Sequence, residues 1–62
     1  MSDLGTTAGI LLREHDNIEQ AIRYAERKAR YLAAMGNAVG CDYALAAEQL
    51  KAYQAKQGEQ HE

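Results

Sequence analysis

Between residues 23 and 30 the chain reads RYAERKAR, its densest group of side chains able to do chemistry. On an α-helix, at about 100° per residue, Arg23, Arg27 and Arg30 share one face, and Tyr24, Lys28, Tyr31 and Met35 form a neighbouring line. Guanidinium groups grip carboxylate or phosphate bidentately, and tyrosine rings fill interface pockets or stack on bases. Two chemistries follow: contact with a protein partner, or contact with RNA or DNA. Three arginines support only weak, salt-sensitive nucleic-acid binding, which favours the protein. The plainer reading of the same residues is a solvated helical face with ion pairs. Glu19–Arg23 and Glu26–Arg30 lie at i,i+4, each pair worth about 0.3 kcal/mol.

Other reactive side chains carry less. His15 sits beside Glu14 and Asp16, with Glu19 one turn on. His15 and Glu19 would supply two metal ligands where three or four are needed, so no metal is expected. A polar residue inside a dimer seam, helping to set register, is the better reading of His15. The single cysteine, Cys41, precedes Asp42, whose charge opposes the low thiol pKa a nucleophile needs, so a small turn residue is expected there. Gly5/Gly9 and Gly36/Gly40 match a small-xxx-small pattern, a weak signal outside membranes. There is no glycine-rich phosphate loop, no convergent carboxylate pair and little chain with which to build a pocket. The expectation is a protein that is not an enzyme and takes no cofactor.

The elements that must position these residues are helical. Small and apolar residues recur at steps of four and three: Leu4, Ala8, Leu11, His15, Ile18, Ile22, Ala25, Ala29, Leu32. The spacing predicts a helix over about 4–35, capped by Ser2, Asp3, Thr6 or Thr7. The stripe runs on through Gly36, Val39, Tyr43, Ala46, Leu50 and Tyr53, so periodicity alone permits one continuous rod. Composition argues against it. Gly36, Asn37 and Gly40 fall in the stretch MGNAVGCD, where Gly36–Asn37 suits a helix C-terminus and Asp42 a new N-cap. The prediction is therefore a turn over 36–41, a second helix over about 42–57, and a frayed polar tail at 58–62, all in one domain of residues 1–62.

Sixty-two residues with one cysteine cannot form an internal disulfide, and only ten are Leu, Ile or Val against twelve alanines. The core is small. Folded back as a hairpin, a first helix of roughly 48 Å outruns a second of roughly 24 Å, leaving Leu4, Ile10, Leu11, Leu12 and Ile18 uncovered. Burial of such side chains is worth about 1.5–3 kcal/mol each, so something should cover them. The expected fold class is all-α: an antiparallel helical hairpin, long helix first, completed as a dimeric four-helix arrangement. The residues assigned to self-association are Leu4, Ala8, Leu11, Leu12, His15, Ile18 and Ile22. Those assigned to an outside partner are Arg23, Tyr24, Arg27, Lys28, Arg30 and Tyr31.

Charge is distributed in bands. Arg23, Arg27, Lys28 and Arg30 against Glu26 give residues 23–31 a net +3, although the whole chain carries −2. Bulk attraction to nucleic acid is not expected. No apolar run is long enough to cross a membrane, and MSDLGTTAG has neither the basic start nor the apolar stretch of a signal peptide. A cytoplasmic location and no membrane partner are expected. No motif assigns the chain to a family. The leading functional expectation is a small homodimeric interaction module that regulates or inhibits a larger protein, of the kind common among phage and mobile-element accessory proteins. A dimeric RNA- or DNA-binding regulator using the Arg23/Arg27/Arg30 face is the alternative. A small subunit or assembly factor, ordered within a larger complex, is the third.

Overall fold

The computed structural model describes residues 4–60, with side chains as far as residue 57. Those residues form three helices and no strand: α1 over Thr6–Glu14, α2 over Ile18–Ala34 and α3 over Val39–Gln60. The single long helix expected over 4–35 is thus two helices, broken at His15–Asn17. The chain there is locally polar: His15, Asp16 and Asn17 follow one another. His15 and Asn17 both take extended backbone, φ −111°, ψ 146° and φ −140°, ψ 158°. The Asn17 side chain accepts a hydrogen bond from the Gln20 backbone N–H at 2.9 Å, which caps α2. Asparagine followed three residues later by glutamine is a helix-start signature, and the stripe running through it conceals it.

The second break is built differently. Gly36 adopts φ +74°, the left-handed region open to glycine. Its N–H donates to the Ala33 carbonyl at 3.0 Å and the Asn37 N–H donates to the Leu32 carbonyl at 2.8 Å. This is the Schellman pattern that satisfies the last carbonyls of α2. Asn37 then starts the next helix, its side chain accepting from the Val39 N–H at 2.9 Å. The turn is therefore shorter than the expected 36–41, and Asp42 lies in the first turn of α3 instead of capping it. Cys41, expected in the turn, is an exposed residue of α3. At the other end Gly58–Gln60 continue α3, whereas the last two residues of the expected tail lie outside the described residues. Ser2 and Asp3, two of the cap candidates, also lie outside them. Thr6 and Thr7 are inside α1, whose N-cap is Gly5.

α2 and α3 run antiparallel and form the most extensive helix–helix contact. Gly40 of α3 comes against Ala29–Ala33 of α2, while Lys51 of α3 reaches Glu26, an ion pair at 2.6 Å. A Cβ on Gly40 would lie 3.0 Å from the Ala29 carbonyl oxygen and 3.1 Å from the Ala33 nitrogen. Gly40 is thus a close-approach residue between two backbones, not a turn residue.

α1 packs on both partners, more on α3 than on α2. It is tied down at its start by the Gly5 N–H, which donates to Gln49 Oε1 of α3 at 3.0 Å. The core combines Ala8 and Leu11 of α1, Ala21, Ile22 and Ala25 of α2, and Ala46, Ala47 and Leu50 of α3. Leu4, Leu12, Ile18 and Tyr43 pack against its edge. Five of those eight core residues are alanine, which lets the helices approach closely, and Leu11, Ile22 and Leu50 supply the larger side chains that fill the space between them. Leu50 is the largest fully buried side chain.

This arrangement answers the problem posed by the leftover apolar surface. Ala8, Leu11 and Ile22, three of the residues assigned to self-association, are buried inside the chain's own core, and Leu4, Leu12 and Ile18 are half-buried against it. The break at His15–Asn17 lets the chain cover its own N-terminal stripe. The hairpin with one overhanging helix is replaced by three mutually packed helices, and the overhang that called for a dimeric four-helix arrangement is gone.

Candidate interaction surface

The Arg/Tyr face of α2 lies outside the core because the buried stripe of that helix, Ala21, Ile22, Ala25 and Leu32, occupies its opposite side. Arg23, Arg27 and Arg30 are exposed. The ion pairs expected within the helix do not form. Glu26 reaches across to Lys51 on α3 in place of Arg30, and Glu19 makes no ion pair with Arg23. Among the described residues the three arginines have no salt-bridge partner. The hydrogen bond and charge of Lys51 hold the Glu26 carboxyl below its ordinary value, with a smaller contribution from the charge of Arg30. The sole acid of the band is thereby engaged by another helix, and none of the arginines shares it as an ion-pair partner.

Beside the arginines runs an exposed apolar and aromatic edge. Tyr24 is 41% exposed, Tyr31 60% and Met35 61%, with Val39 exposed at the start of α3. Lys28 is half-buried within the line. All six residues assigned to an outside partner therefore lie on α2, and five of them are exposed.

Two neighbours join this edge from other helices. His15, at the end of α1, has its ring centroid 5.3 Å from that of Tyr24. Tyr43 of α3 meets Tyr24 edge-on at 6.3 Å. Each helix thus contributes one ring to a connected aromatic row. His15 Nδ1 stands 2.9 Å from the Leu11 carbonyl oxygen. A carbonyl only accepts, so Nδ1 carries the proton and donates. Within the chain His15 is half-buried at this corner, a ring spacer between α1 and α2.

Sequence reasoning did not find Tyr43 as a neighbour of this face, nor Val39 as an exposed residue. Both fall in the stripe that continues past the turn, which marks them as core. The left-handed Gly36 is the signal for them, since it fixes where α3 begins relative to the end of α2. Leu45, 57% exposed on α3, borders a different groove, with Gly5, Thr6 and Thr7 at the start of α1. It lies off the stripe, and no local pattern distinguishes it.

The described residues hold no group of three or more His, Cys, Asp or Glu placed to bind a metal ion. Among them no helix is long and apolar enough to cross a membrane. The depressions between helices are open grooves, such as the one between α2 and α3 bordered by Glu26, Arg30, Ala44 and Lys51. Comparisons with protein-family models, curated proteins and solved structures give no match.

Proposed function

We infer that this chain is a small, non-enzymatic interaction protein that acts by binding a larger protein through the outward face of α2. The observation that carries the reading is the set of exposed arginines, Arg23, Arg27 and Arg30, unpaired among the described residues and bordered by Tyr24, Tyr31 and Met35. Arginine and tyrosine are the side chains that most often dominate binding energy at protein interfaces. A positive face on a chain of net charge −2 favours an acidic partner surface and disfavours generic polyanions. Binding would regulate or inhibit that partner, in the cytoplasm, by occupying a surface the partner needs.

A photo-crosslinking side chain placed at Tyr31, beside the arginines, tests this. It should capture a protein, and Arg27→Glu with Arg30→Glu should abolish the capture while helicity by circular dichroism is unchanged. Capture that survives the double substitution would dispose of the reading. Capture of RNA or DNA, weakening steeply between low and moderate salt, would replace it with the nucleic-acid alternative.

A further inference from the structure

The apolar stripe keeps its spacing straight across a break that the structure places inside it. Leu4, Ala8 and Leu11 precede the break; Ile18, Ile22 and Ala25 follow it in the same register. All six are buried or half-buried in the folded chain, so both halves of the stripe are used internally even though the helix stops between them. A register that serves only two separate helices has no need to be continuous. Continuity is the property of one helix.

Little in the break resists straightening. Residues 15–17 contain neither glycine nor proline, and none has a positive φ. The His15 N–H already donates to the Leu11 carbonyl and the Ala21 N–H to the Asn17 carbonyl, both i→i−4 bonds that a continuous helix retains. What straightening removes is the Asn17 side-chain cap on the Gln20 N–H and the ring contact between His15 and Tyr24. Residues 6–34 would then form one rod of about 44 Å, lifting α1 away from its own α3 and uncovering Ala46, Ala47 and Leu50. A second copy opened in the same way carries the one segment that fits there.

We propose that this chain self-associates by opening at His15–Asn17 and exchanging α1, each copy's Ala8 and Leu11 seated on the α3 of the other. The exchanged contacts are those the closed chain makes with itself. The balance between monomer and dimer is therefore set by the hinge and by protein concentration. The inference does not use the arginine face, and it stands or falls separately from the partner-binding reading.

Light scattering after size exclusion, over a wide concentration range, is the first arm of the test. The wild-type dimer fraction should rise with concentration. Asp16→Ala with Asn17→Ala should tighten the dimer about thirtyfold, because two capped hinges are lost from the closed form. Inserting Gly-Ser-Gly after Asp16 should return the chain to monomer, since a flexible hinge lets α1 fold home. In a mixture of isotope-labelled and unlabelled protein, intermolecular contacts from the Leu11 methyls to Leu50 should appear. A wild-type monomer at every concentration, a dimer that survives the insertion, or Leu11–Leu50 contacts confined to one chain would each overturn the proposal.

Discussion

The chain interrupts its helices twice, and the two interruptions are held by different forces. At Met35–Ala38 the backbone does the work locally. Gly36 takes the left-handed conformation, two N–H groups close on the Ala33 and Leu32 carbonyls, and Asn37 opens the next helix. At His15–Asn17 no residue has a positive φ, and beyond helix-type bonds two side chains cap the helix ends, His15 Nδ1 donating to the Leu11 carbonyl and Asn17 accepting from the Gln20 N–H. That break persists because of what lies beyond it: α1 buries Ala8 and Leu11 against α2 and α3 and is pinned by Gln49. The break at His15–Asn17 is a turn held by tertiary packing, that at Met35–Ala38 a turn held by its own hydrogen bonds.

The largest expected effect attacks the packing. Leu11→Ala should destabilise the fold by about 2–4 kcal/mol, a large share of what so small a domain possesses. In hydrogen exchange the α1 amides should lose protection well before those of α2 and α3, since Leu11 anchors only the docked helix. A uniform loss across all three helices would erase the distinction between the two turns. A cost below about 1 kcal/mol would mean that α1 is held by something other than its apolar side.

Next come the turns themselves. Gly36→Ala should cost about 1–2 kcal/mol, because a Cβ there meets nothing within 4 Å and the penalty is purely that of left-handed backbone. Asn17→Ala should cost nearer 1 kcal/mol, the ordinary value of a lost N-cap, and Asn17→Asp should restore most of it. Urea denaturation of the set measures all three. If Asn17→Ala proved costlier than Gly36→Ala, the first break would owe more to its cap than to docking.

The same contrast explains what could be read from the chain. The reversal at Gly36 left a mark in composition, because left-handed backbone selects glycine. The break at His15–Asn17 left almost none, since extended backbone suits most residue types and the stripe from Leu11 to Ile18 continues unbroken across it. Its one local sign, asparagine followed by glutamine three residues on, is outweighed by nine stripe positions in register. The all-helical class and the placing of Arg23, Tyr24, Arg27, Arg30 and Tyr31 on an exposed face followed from periodicity, which α2 obeys for its full length. The differences from expectation share one cause. With α1 and α2 taken as a single rod, Ala8 and Leu11 had no cover within the chain, whereas three packed helices cover them from within. Glu26 was assigned to Arg30 for a related reason: helical spacing names the neighbours on one helix, whereas Lys51 arrives from another.

That cross-helix pair supplies the smallest effect and a sharper form of the comparison. Glu26 and Lys51 join α2 to α3 and do not touch α1, so titrating them should probe the second reversal and leave the docking of α1 alone. The Lys51 hydrogen bond and charge hold the Glu26 carboxyl below 4.5, and Glu26 in turn raises Lys51 above 10.5. For a carboxyl depressed by folding, the unfolded chain binds the proton more readily. The pair's contribution is therefore fully present above the ordinary carboxylate range and is lost as pH falls through the lowered Glu26 value. At the alkaline end it is lost as pH rises through the elevated Lys51 value. Both side chains are substantially exposed, so the effect is small and salt-sensitive. It should emerge only as the difference between wild type and Glu26→Gln, constant near neutrality and vanishing in acid. Leu11→Ala should show no such pH-dependent difference, because no charge takes part in seating α1. A difference that persists unchanged below the Glu26 titration would mean that the carboxylate's charge is not what joins the two helices.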